Sequence, residues 1–491
     1  MNLDLLRPEI CLAVTAIVVI AVDLFFRHKL LVTITSIVGL LVSFGMAISL
    51  IGSHELSVGN GLFILDNYAI YFKFLFLGIA CLVILASTDY VKRLQNLHGE
   101  FHALLLTATL GAMLTATAQD IIAMLLSIEL TAISLYALVA MLKNSKSSES
   151  AVKYLLLGAV NSAILLFGLA LVFGFSGSTS LLDIAQTVSS IQVGNIADNA
   201  GLIFGLVLIL AGFAFKIAVV PFHMWAPDVY EGAPTPITLF LSTVSKIAGF
   251  SILVRFLLTG FSLPESLSNN WGVILAVVSA ITMTAGNLLA LTQHNIKRLL
   301  AYSSIAQSGY MLIAVATMGI GSFHTISSSS LLYYLTAFAV AEVAVFTVII
   351  IASKHKDNDD IADYAGLAKQ SPLLACAMTL GLLSLMGLPP LVGFMGKLYV
   401  FSQAVQHDLL WLVIIAVVNS VISACYYLKI IRAIWVDAPA SADNIRSSFA
   451  PKAVLLIACA GILLFGILPS ILISGTEWGA DLISGIWEFF R

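Results

Sequence analysis

The chain has 491 residues, 60% of them hydrophobic and 10% charged, with a net charge of -3. Soluble domains carry roughly a quarter charged residues, so this composition excludes a soluble fold with a single anchor, and the charge excludes a basic nucleic-acid surface. Cys11, Cys81, Cys376, Cys425 and Cys459 all lie in apolar segments without a CxxC spacing, which excludes a recognisable iron-sulfur or zinc cluster and any disulfide framework.

The first residues, MNLDLLRPEI, lack the basic region and cleavage site of a signal peptide, so the first span is expected to be retained. Spanning a bilayer takes about 20 apolar residues, and that ruler gives about fourteen transmembrane segments of an all-α polytopic membrane protein. The first six are Ile10–Phe26, Leu30–Ile51, Tyr68–Ser87, Phe101–Ala118, Ile121–Leu142 and Ala151–Phe175. The seventh, Gly201–Trp225, is interrupted by Pro221, and Ile237–Leu258 follows it. Trp271–Leu291, Ile296–Met318 and Ser329–Ser353 lead to a second interrupted segment, Pro372–Val405, then to Leu410–Trp435 and Ala453–Leu472. No strand-GxGxxG-helix unit for a dinucleotide occurs.

Lys and Arg alternate between loops. Arg27, Lys29, Lys92, Arg93, Lys143, Lys146, Lys297, Arg298, Lys354, Lys356, Lys369, Arg432 and Arg446 mark one side, while 52–67, 176–200, 319–328 and 406–408 contain neither residue. By the positive-inside rule the first set is cytoplasmic and both termini lie outside. The fourth to eighth and ninth to thirteenth spans each place a proline-broken helix fourth, at Pro221 and at Pro389–Pro390. A repeat of five spans inverts its second copy. The expected partition is three helices over 1–100, a first repeat over 101–260, an inverted second over 261–436, and a last helix with a short tail over 437–491.

Charges inside the spans single out candidate residues. A charge at a helix centre costs at least ~2.5–3.5 kcal/mol on insertion scales, yet Glu129, Lys216, Lys246 and Lys397 all sit there. Pro221 deprives the Ile217 carbonyl of its helical donor, and Pro389 and Pro390 do the same for Leu385 and Met386. Freed acceptors beside buried ammonium groups suit a proton path, because a lysine's hold on its proton responds to desolvation and to a neighbouring carboxylate. Glu129 could switch Lys216, or the two could form a structural pair. His223 could shuttle protons near neutral pH or simply pack against Trp225. Lys153, at a helix start, fits snorkelling as well as function. Glu342 and Lys73 are buried without an assigned step, and Asp228 with Glu231 is expected to shape a loop and bind a neighbouring subunit.

Three stretches, FKIAVVPFHMWAPDVYEGAPTPITLFLSTVSKIAGF, HNIKRLLAYSSIAQSGYM and GLPPLVGFMGKLYVFSQAV, resemble the antiporter-like membrane subunits of respiratory complex I, and the likeness runs over nearly the whole chain. Among the siblings of that family, the chain is similar to the one that ends without a long lateral helix and has a lysine, here Lys397, where another carries glutamate. The resemblance implies that Glu129 and Lys216 form a switch pair, that Lys246 is the central relay and Lys397 the exit, and that Lys153 takes part. It implies membrane and peripheral partner subunits in a bacterial inner membrane. It places NAD, flavin, iron-sulfur clusters and quinone on those partners and none on this chain. Glu342 is a departure, since the resemblance implies a small or polar residue there. A cation/proton antiporter or a membrane-bound hydrogenase subunit would use similar broken helices, and a scaffold would use them without moving protons.

Overall fold

The computed structural model describes residues 3–26, 29–52, 56–59, 61–94, 97–189, 200–262, 265–320, 325–353, 359–438, 445 and 447–480. The tail through Trp487 and Arg491, and Arg27, Lys354, Lys356 and Arg446 of the loop pattern, lie outside them. The described residues form helices α1 (Arg7–Phe25), α2 (Lys29–Ile48), α3 (Asn67–Ser87), α4 (His98–Thr117), α5 (Ile121–Val139), α6 (Ser145–Ser176) and α7 (Leu181–Ser189). The first interrupted segment is α8 (Ala200–Lys216) and α9 (Trp225–Gly232), followed by α10 (Thr235–Phe240) and α11 (Lys246–Gly260). Then come α12 (Glu265–Leu291), α13 (Ile296–Gly319), α14 (Thr325–Ala352) and the single turn α15 (Leu367–Gln370). The second interrupted segment is α16 (Pro372–Met386) and α17 (Val392–Gln406), and α18 (Leu410–Trp435), α19 (Phe449–Ile467) and α20 (Pro469–Ala480) close the chain. A hairpin, β1 (Leu56–Val58) with β2 (Phe63–Leu65), pairs Ser57 with Ile64.

Eleven helices among the described residues are long and apolar enough to cross a membrane. The more polar α4 and the two interrupted segments supply three more, which gives the fourteen expected. Helix starts are set by short polar caps that take up unpaired backbone N–H groups. Asp66 accepts from Ala69 N at 2.7 Å, Asp120 from Ile122 N at 2.8 Å, Asn144 from Ser147 N at 2.8 Å, and Asn295 from Lys297 N at 3.0 Å. The Asn144 cap starts α6 six residues earlier than apolarity alone suggests.

The spans are not equally enclosed. Thr235–Gly260, which joins α10 and α11 through a π-helical turn at Leu241–Ser245, is wholly covered by other parts of the chain, and α13 and α14 almost wholly. Between α12 and α13 the glycines set the distance: a Cβ on Gly286 would stand 2.7 Å from Ala306 N, and one on Gly309 2.7 Å from Met283 N. α13 is thereby drawn into the middle of the bundle, between the two interrupted segments.

Candidate functional site

Neither interrupted segment is merely a kinked continuous helix. α8 stops at Lys216 and the chain runs as irregular backbone until Trp225; α16 stops at Met386 and resumes at Val392. Both stops use the same hydrogen-bonded cap, in which two N–H groups past the helix fold back onto its last carbonyls with one residue in the left-handed region. At the first, Ala218 N bonds Phe215 O at 3.0 Å and Val219 N bonds Ala214 O at 2.8 Å, with Ala218 at φ 55°. At the second, Gly387 N bonds Ser384 O at 3.0 Å and Leu388 N bonds Leu383 O at 3.1 Å, with Gly387 at φ 90°.

The carbonyls that the prolines were expected to free are free of helix partners and are taken by side chains. Ile217 O accepts from Ser308 Oγ at 2.8 Å, and Leu385 O accepts from Gln307 Nε2 at 2.9 Å. Met386 O accepts from Lys397 Nζ at 2.9 Å. Ser308 and Gln307 are consecutive residues of α13, so one helix holds both breaks. One turn earlier on α13, Ser304 receives Lys246 Nζ at its backbone oxygen, 2.6 Å away, and at its hydroxyl. Ser308 Oγ lies 3.2 Å from the same Ser304 oxygen. Gln307 also receives Tyr334 OH and approaches Tyr427 OH, which in turn pairs with Ser303. Lys397 completes the row, 3.3 Å from Ser420 Oγ and 4.6 Å above the ring of Tyr310, another α13 residue.

Of the residues singled out in the sequence, Lys246 and Lys397 are 2% and 4% exposed and turn inward, which removes snorkelling as their explanation. Lys216 is the last residue of α8, at the negative end of the helix dipole, and is half-buried. Glu129 receives a hydrogen bond from Ser162 of α6, and among the described residues no carboxylate comes within 4.0 Å of Lys216 Nζ, so the Glu129–Lys216 pair is open here. His223 lies in the first break with its Nδ1 unpartnered. Lys153 is not in the row: its side chain is 44% exposed and is paired with Glu149 and Asp228 at 2.8 Å each.

Asp228 and Glu231 bind within this chain. Arg298 of α13 reaches Asp228 at 2.7 Å and Glu231 at 2.9 Å, and Lys146 of α6 meets Glu231 at 2.7 Å. Partial burial pushes the Asp228 carboxyl upward, but hydrogen bonds from Lys153 and Arg298 outweigh it and hold the group below its ordinary value. Glu231 behaves alike, with Lys146 and Arg298 as its donors. This cluster ties α9, the second half of the first interrupted segment, to α6 and α13.

Two buried ion pairs escaped the reading of the sequence in whole or part. Arg255 of α11 forks onto both oxygens of Asp66 at 2.9 Å and donates Nε to Ala116 O at 2.7 Å, joining α11, α3 and α4. The signal was present as a lone arginine in SILVRFLLTG. Lys73 pairs with Glu9 at 2.8 Å, fully enclosed between α3 and α1. The hydroxyls and amide of Ser304, Gln307 and Ser308 were legible only as part of a resembling motif.

A polytopic bundle with two capped half-helices, freed carbonyls and inward lysines belongs to the class of membrane proteins that move ions through discontinuous helices. Residues 118–423 match the family described as NADH:quinone oxidoreductase/Mrp antiporter, membrane region. The chain is 46% identical to the NADH-quinone oxidoreductase subunit N of Dehalococcoides mccartyi, over 98% of this chain and all of that one. It superposes on a chain of respiratory complex I from Thermus thermophilus with a TM-score of 0.80 and 30% identity, covering 95% of this chain and 99% of the other. It also shares the fold of a chain of the Mrp complex from Dietzia sp., with a TM-score of 0.86 at 19% identity over 99% of this chain and 98% of that one. The chain belongs to the NADH:quinone oxidoreductase/Mrp antiporter family of membrane subunits. Backbone similarity does not separate the family's branches, since the lower identity accompanies the higher TM-score.

Proposed function

We propose that this chain is a proton-translocating membrane subunit of an NADH:quinone oxidoreductase, in the place that subunit N takes in the Dehalococcoides mccartyi enzyme. The supporting observation is the row of inward lysines and freed carbonyls that α13 links from the first break to the second. In this reading Glu129 modulates Lys216, Lys246 on Ser304 is the central station, and Lys397 on Met386 O is the exit. His223 serves the first break, and Lys153 acts at the mouth by anchoring Asp228. Lysine gives and takes one proton without ligating a cation. The three carbonyls that a sodium ion would use already accept from Ser308, Gln307 and Lys397, which favours protons over the antiporter reading.

The redox chemistry belongs to partner subunits that carry NAD, flavin, iron-sulfur clusters and quinone. The chain lies in a bacterial inner membrane with its Lys-rich loops in the cytoplasm and both termini outside, and 101–260 and 261–436 are the two inverted repeats. Lys246→Ala or Lys216→Ala should leave assembly near normal and lower NADH-driven acidification of vesicles by about tenfold, a loss of ~1.4 kcal/mol of barrier lowering. Acidification at the wild-type rate in normally assembled complex would sink the relay.

A further inference from the structure

Glu342 stands outside the row described above, yet it is the most completely enclosed carboxylate near it. It lies on α14, is 0% exposed, and its oxygens make no hydrogen bond within 3.5 Å, although the Ser242 hydroxyl of the π-helical turn lies in reach. A carboxylate so enclosed is costly unless a cation or a transferable proton lies within reach. Phe338 precedes it by four residues and so occupies the same face of α14, and Lys246 Nζ sits 5.7 Å from the Phe338 ring centroid. The ammonium and the carboxylate therefore share one compartment walled by Phe338. The other titratable groups in range of its charge are Tyr230 of α9 and Tyr427 of α18.

The contrast with Lys73 and Glu9 is informative. That pair is closed at 2.8 Å, as a structural ion pair in hydrocarbon should be. Lys246 and Glu342 stay more than 4.0 Å apart, with the ammonium drawn off to Ser304. Lys246 also follows directly on the π-helical turn Leu241–Ser245, and such turns commonly re-aim side chains at functional sites.

We infer that Glu342 is a proton station that exchanges one proton with Lys246 when the ammonium leaves Ser304 for the carboxylate. In the exchange one Nζ–H bond breaks and one carboxyl O–H bond forms. The ammonium and carboxylate become a neutral amine and a neutral acid, with no other reactant needed. This inference rests on the relay reading and adds a residue to it.

The test uses the whole complex, purified with Glu342→Gln, Glu342→Asp or Lys246→Ala and reconstituted in vesicles. Glu342→Gln should slow NADH-driven proton translocation by about tenfold, and Glu342→Asp should recover part of it. Infrared difference spectra between resting and turning-over complex should show one protonated-carboxyl C=O band that Glu342→Gln removes and Glu342→Asp shifts. Full translocation in Glu342→Gln alongside a slow Lys246→Ala would overturn the station and leave the relay standing. A slow Glu342→Gln whose carboxyl band persists would also overturn it, since the loss would then be structural. Normal translocation in Lys246→Ala would bring down the relay and the station together.

Discussion

The two breaks end their first half-helices with the same cap, but one places alanine and the other glycine in the left-handed position. Glycine adopts that conformation freely, whereas a residue with a Cβ pays roughly 1–2 kcal/mol for it. The lysines differ in the same sense. Lys397 is anchored on Met386 O, Ser420 and the face of Tyr310, while Lys216 has no carboxylate within 4.0 Å among the described residues. The first break is thus held under local strain with its ammonium loose, and the second is relaxed with its ammonium engaged. In a path that carries charge between them, the loose site is suited to switching and the engaged one to holding.

The widest separation between the breaks should come from making one substitution at both. Lys397→Met leaves the part-buried Met386 O without its donor, a penalty of up to about 1–3 kcal/mol. Lys216→Met removes no such bond, and both substitutions relieve the burial of a charge. Melting of the purified complex in detergent should therefore come lower for Lys397→Met than for Lys216→Met, while both lose proton translocation. Equal melting temperatures would show that the second break is no better anchored than the first.

What the sequence revealed and what it withheld follow one rule. Spans, breaks and freed carbonyls are local: apolar length, a proline and the residue four positions before it suffice, and Ile217, Leu385 and Met386 were all identified that way. Partners are not local. Nothing near Arg255 in sequence announces Asp66, which is 189 positions away, and nothing in YSSIAQSGYM says that Ser304, Gln307 and Ser308 face three different elements. Lys153 shows the converse. Its apolar neighbours suggest a span, but the Asn144 cap starts the helix early enough to leave it among exposed charges. The kink expected at Pro221 became an eight-residue break because the cap at Ala218 ends α8 before the proline is reached.

Ala218→Gly tests the strain directly. Relief of the left-handed alanine is worth about 1–2 kcal/mol, offset by roughly 0.4–1 kcal/mol from the greater freedom glycine gives the unfolded chain. A small rise in melting temperature is expected, together with slower proton translocation if strain at the first break helps it switch. A fall in melting temperature would mean that the alanine methyl contributes more by packing than it costs in conformation, and the contrast with Gly387 would lose its energetic meaning.

The gentlest test concerns the second halves of the two segments. α9 is tied down by Lys146, Lys153 and Arg298 through Asp228 and Glu231, whereas among the described residues no ion pair involves α17. Each of these partly exposed pairs is worth about 0.2–1 kcal/mol. Both carboxyls lie below their ordinary values of 3.8 and 4.5 in the folded chain. A depressed carboxyl stabilises the fold above its unfolded value and loses that contribution as pH drops through the folded one. The anchoring of α9 should therefore be constant from neutrality to about pH 5 and weaken below pH 4. Hydrogen exchange, corrected for its intrinsic pH dependence, should show protection of α9 falling over that acid range while α17 stays protected. Asp228→Asn should show the weaker α9 protection already at neutral pH. If α9 and α17 lose protection together, the ion pairs are not what distinguishes the first segment, and its looseness resides wholly in the break.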